Sequence, residues 1–125
     1  MSEENTTGAV VTFDDVVAKN PVLEGLPDLV PANSLKPLES AHAQTVAATV
    51  EALFNNANGA TEDETERGVA ILLAVEQALK EEEPVMRSLA VDKDGFDEWE
   101  KGKKPVELAV AYYAVLQWYV GELGK

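Results

Sequence analysis

Residues 105–125 read PVELAVAYYAVLQWYVGELGK, and they decide the fold class. Pro105 suits the first position of a helix, where its missing amide would have had no intrahelical acceptor, so a helix is expected from Pro105 to about Leu123. Two apolar rows run along it at three- and four-residue steps. One holds Leu108, Tyr112, Val115 and Tyr119; the other holds Ala109, Tyr113, Leu116, Val120 and Leu123. Trp118 lies off both rows, and only Glu107, Gln117 and Glu122 mark a wet side. A helix apolar on two rows has to be surrounded, and nothing else in the chain shows the two-residue alternation of a sheet.

Upstream, Thr61-Glu62-Asp63-Glu64 has the form of a capping box in which Thr61 bonds the amide of Glu64. The helix it opens carries GVAILLAVEQAL, residues 68–79, apolar on nearly every side between Val69 and Val75. That segment is expected at the centre of the bundle. Glu81-Glu82-Glu83-Pro84 should close or kink it, leaving Val85, Met86, Leu89 and Val91 as a short amphipathic piece. A turn at Asp92–Gly95 and about two helical turns bearing Phe96 and Trp99 follow.

Nearer the start, Ser34 is the expected cap of a long helix to about Asn58, with Leu38, His42, Thr45, Val46, Val50, Leu53, Phe54 and Ala57 as its inward stripe. Asn58-Gly59 stops it. Thr12 caps TFDDVVAKN, with Asp14 and Asp15 at the positive end of the dipole and Phe13, Val16 and Val17 inward. Between them Pro21, Pro27, Pro31 and Pro37 alternate with six large aliphatic residues, the pattern of an ordered connector rather than a flexible linker. Short strands at Val10–Thr12 or Leu29–Val30 are weakly signalled. The expectation is an all-α fold: a small bundle of four to six helices with an irregular proline-rich connector, residues 12–125 forming one domain after a flexible 1–11.

Composition narrows function. The 125 residues hold no Cys and one His, which excludes thiolate zinc sites, disulfides and cysteine nucleophiles. Formal charge is −13, so phosphate backbones and anionic lipid would repel the chain, and no direct nucleic-acid or membrane partner is expected. Residues 61–100 hold 13 acids and 4 bases, whereas residues 101–125 hold 2 and 4. The less acidic end therefore suits contact with another chain. The start is polar and acidic, unlike a signal peptide, and no apolar run approaches a membrane span. A soluble, intracellular type of protein is expected.

Three motifs invite chemistry. Asp92-Lys93-Asp94-Gly95 has the alternation of a calcium loop, but that register puts Ala90 at the first ligand position and Lys101 where a bidentate Glu belongs. A tight turn capped by Asp92 accounts for it. His42 has no nucleophile motif or phosphate-cradling loop to serve, so no catalytic, cofactor or metal residue is assigned and no enzyme is expected. The acidic clusters at 62–66, 81–83 and 92–100 fit solvated faces, or, as an alternative function, mimicry of DNA by an inhibitor of a host DNA-binding protein. If the centre belongs to residues 69–79, one row of the last helix is left for a partner, Tyr and Trp being common interface anchors. The partner-binding candidates are Tyr113, Leu116, Val120, Leu123 and Trp118.

Asp92-Lys93-Asp94-Gly95-Phe96, a short acidic helix, then a helix of form L-A-x-x-Y-Y-x-V-L-x-W-Y resembles the tail assembly chaperones of long-tailed (siphovirus) bacteriophages. TFDDVV is similar to a common opening of that family, and Leu35-x-Pro37-Leu38 to its central segment. The resemblance implies a non-enzymatic chaperone in the cytoplasm of the infected bacterial host. It would bind the tape-measure protein, keep it soluble, aid assembly of the tail-tube protein and self-associate as a homo-oligomer. It also implies a programmed frameshift near the gene's end. Leu123-Gly124-Lys125 is compatible with a G-GGA-AAR slippery tract.

Overall fold

The computed structural model describes residues 12–59 and 61–123, the side chain of Leu123 excepted. The expected flexible segment 1–11, with the strand candidate that begins at Val10, lies outside the described residues apart from Thr12. The described chain forms five α-helices: α1 (Phe13–Lys19), α2 (Pro37–Gly59), α3 (Glu64–Leu89), α4 (Lys93–Glu100) and α5 (Pro105–Leu123), with 3₁₀ turns at Pro21–Leu23 and Ala32–Ser34. The all-α bundle is as expected.

Local chemistry sets the ends. Thr12 and Asp15 form a reciprocal capping box on α1. On α3 the cap is Asp63, which accepts from the Glu66 amide at 2.9 Å; Thr61, two residues before it, accepts instead from the Asp63 amide at 3.2 Å. Ser34 is likewise not a cap, its hydroxyl donating to Pro31 within a 3₁₀ turn. Instead Glu39 reaches back to the Lys36 amide at 2.8 Å. Pro84 lies inside α3 and does not close it, because the helix continues to Leu89 with Val85, Met86 and Leu89 buried. Packing of that last turn outweighs one lost backbone bond.

Asp92 caps α4 by accepting from the Gly95 amide at 3.0 Å. A Cβ on Gly95 would lie 2.5 Å from Asp92 Oδ2. Gly95→Ala should therefore push the carboxylate off its cap, a loss of about 1 kcal/mol set against a gain of similar size in helix propensity, so its urea midpoint should stay near the parent's. Asp92→Ala, which loses the cap without that gain, should lower the midpoint, and an unchanged midpoint there would show that the cap contributes nothing.

The centre belongs to α5. Leu108, Ala109, Ala111, Tyr112, Val115, Leu116 and Tyr119 are all buried, and α5 packs on α1, α2, α3 and both 3₁₀ turns. The expectation that residues 69–79 hold that place is overturned: Val69, Leu72 and Leu73 are exposed by 54%, 61% and 57%. The cause is register. Tyr112 feels the charges of Glu82 and Glu83, and Tyr119 bonds the Val30 carbonyl beside Leu89, whose own carbonyl accepts from Val30. These contacts place Tyr112 and Tyr119 in order along the C-terminal half of α3. The exposed residues lie N-terminal to that half, where α3 meets Leu53 and Ala57 of α2.

The connector is ordered, as its aliphatics required. Leu29 pairs with Ala90 in an isolated antiparallel bridge, with Val91 donating to Asp28 at 3.0 Å, so the weakly signalled strand amounts to one bridge. Gly25, at φ 83°, takes a left-handed turn in which a Cβ would lie 3.6 Å from the Trp99 indole, whose Nε1 donates to the Glu24 carbonyl at 3.0 Å. This ties the connector to α4.

Candidate protein-binding surface

The residues expected to meet a partner on α5 are largely committed inside the chain. Leu116 is fully buried, which corrects its assignment as a surface contact: with α5 central, its row faces the core. Tyr113, Trp118 and Val120 are half-buried and pack against that core. Trp118 meets Phe13 edge-on, ring centroids 5.4 Å apart, and Tyr119 at 5.2 Å, so α1 packs against Trp118. The Tyr113 hydroxyl donates to Glu51 Oε1 at 3.2 Å and accepts from Gln117 at 2.7 Å; burial chiefly raises its pKa. The side chain of Leu123 lies outside the described residues.

The apolar surplus lies on α3. Val69, Leu72 and Leu73 occupy successive turns of one face, and Leu73 also lines a shallow groove with Leu53 and Ala57 of α2 and Ala70, Ala74 and Gln77 of α3. These residues form one continuous strip at the α2–α3 tip, and exposed contiguous apolar surface marks contact sites. Sequence reading missed it because an all-round apolar stretch looks the same whether enclosed or half bare. A smaller hollow forms where Val106 and Val110 of α5 face Pro21 and Val22.

Carboxylates crowd the junction of α3, α4 and α5. Tyr112 donates to Glu100 Oε2 at 2.6 Å, and Glu100 is drawn up to about 7 by burial first, then by its hydrogen bond to Glu83 and the nearby negative charges of Glu83 and Asp97. Tyr112 itself is raised, mainly by burial and then by Glu100. Beside them Glu82 is fully buried with neither oxygen hydrogen-bonded, and burial alone pushes it up to about 9. The sequence placed Glu81–Glu83 on a wet face. The spacing Ala78, Glu82, Met86, Leu89 was the available sign that Glu82 shares the buried stripe.

His42 is exposed on α2 rather than inward; the inward positions are the small Ala43 and Ala47 with Val46 and Val50, which let α2 approach its neighbours. Thr45, also expected inward, is exposed, its hydroxyl turned back to the Ala41 carbonyl. Among the described residues no three His, Cys, Asp or Glu side chains are grouped to hold a metal ion, and no helix is long and apolar enough to cross a membrane. No family model matches the chain, and no curated protein or solved structure is significantly similar to it.

Proposed function

We propose that this protein is a non-enzymatic assembly chaperone of a long-tailed phage, which binds the tape-measure protein in the host cytoplasm and keeps it soluble until the tail-tube protein assembles around it. The observation that carries the reading is the bare strip Val69, Leu72 and Leu73 on an otherwise acidic chain. A chaperone for a long helical client needs both features. The strip offers apolar area to the client's own apolar face, and a net charge of −13 keeps the complex from co-aggregating.

Co-expression with the product of a very long reading frame neighbouring this chain's gene, the expected tape-measure protein, tests the proposal. The expected result is a soluble client that co-purifies with the chain, and loss of both effects in Leu72→Glu. A client equally insoluble with and without the chain overturns it. Displacement of DNA from a host DNA-binding enzyme by the purified chain would favour mimicry instead.

A further inference from the structure

We propose that the α2–α3 tip is a docking groove for an amphipathic helix with basic flanks, supplied by a different protein. The inference rests on the protein-binding reading above and names the chemistry of the partner. The floor of the groove is Leu53, Ala57, Ala70 and Leu73, and Val69 and Leu72 extend it along α3. From Val69 to Gln77 it spans about 12 Å, or roughly two helical turns, room for three or four apolar side chains of a helix laid along it.

The rim selects the flanks. Glu62, Asp63, Glu64 and Glu66 stand at one end of the strip and Glu76 at the other, all exposed. Among the described residues of this stretch of α3 two cations, Arg67 and Lys80, lower its negative charge without cancelling it. Arg67 folds back onto the carbonyls of Thr61 and Glu62 at 3.3 Å, and Lys80 pairs with Glu76 at 3.7 Å. An apolar floor inside a carboxylate rim suits a helix whose apolar face is bordered by Lys or Arg. A second copy is disfavoured on the same grounds, since an isologous contact would set this acidic rim against itself between chains that each carry −13.

The test uses the full chain and a synthetic 18-residue helical peptide with Leu at positions i, i+3, i+4 and i+7 and Lys at the flanking positions, followed by fluorescence anisotropy. The Lys-flanked peptide should bind, and more weakly as salt rises past about 0.3 M. The same Leu pattern with Glu flanks, and a scrambled Lys peptide, should each bind at least about tenfold more weakly. Leu72→Glu and Leu73→Ser should each weaken binding by at least about tenfold while circular dichroism and melting stay as in the parent. Equal binding of the Lys- and Glu-flanked peptides, binding of the scrambled peptide, or indifference to both substitutions overturns the proposal. So does sedimentation equilibrium showing a dimer that Leu72→Glu dissociates, because the occupant would then be a second copy. The tape-measure experiment reads separately. Client capture without peptide binding removes the basic-flank partner and leaves the chaperone; peptide binding without client capture does the reverse.

Discussion

Glu82→Met is expected to raise the melting temperature at pH 8 by about 10 °C, on the order of 3 kcal/mol for a domain of this size. It should also flatten the dependence of stability on pH between 5 and 9. Glu82 is fully buried and its carboxyl oxygens have no hydrogen-bond partner, so the folded chain holds the proton up to about 9, against an ordinary value of 4.5. Below 4.5 both states are protonated and the full stability is present. As pH climbs, the unfolded chain ionises freely while the folded chain cannot, so stability falls with each unit until pH passes about 9. Glu100, drawn up to about 7, adds a smaller loss in the lower part of that window. An unbranched thioether fills nearly the same volume and carries no proton to lose. Urea titrations at pH 5, 7 and 9 on the parent and the variant decide the matter. A flat parent profile, or a variant melting no higher than the parent at pH 8, would show that Glu82 reaches water.

Leu116→Glu and Leu72→Glu should part sharply. Both put a carboxylate in place of a leucine on an apolar stretch of helix, yet Leu116 is fully buried and Leu72 is 61% exposed. At Leu116 the new charge would sit inside the core without a partner, and the lost packing alone is worth about 2–5 kcal/mol. The chain should be largely unfolded at neutral pH. At Leu72 the carboxylate enters water, and the melting temperature should move by no more than about 3 °C. Circular dichroism and a thermal melt of the pair give the answer. The opposite ranking would restore α5 as the helix with a free face and place residues 69–75 inside.

How far the fold could be read ahead depends on the element. α1, its Thr12 cap, the turn at Asp92 and the start of α5 at Pro105 were all legible, because a cap or a first-turn proline acts within four residues of itself. Thr61 and Ser34 failed as caps although their local patterns were sound: Asp63 caps α3 by taking the Glu66 amide, leaving Thr61 outside the helix, and the Ser34 hydroxyl donates to the Pro31 carbonyl within a 3₁₀ turn. Pro84, expected to close or kink α3, does not close it, because burial of Val85, Met86 and Leu89 is a tertiary effect.

The candidate site was less legible than the fold. The sequence showed that a bundle this small has more apolar helix than it can enclose, and pointed to Tyr113, Leu116, Val120, Leu123 and Trp118. The surplus is real, but its cluster is Val69, Leu72 and Leu73 on α3, with Leu38, Val91, Val106 and Val110 exposed elsewhere.

By itself, then, the sequence determined the helical class, most of the local starts and stops, the acidic surface and the existence of an apolar excess, since all of these follow from periodicity, capping chemistry and charge count. Only the tertiary structure decided which of two equally greasy helices is enclosed. That choice turns on how far α5 reaches back along α3, a matter of register between distant segments. The same register carries Glu82 into the interior and leaves the α2–α3 tip bare.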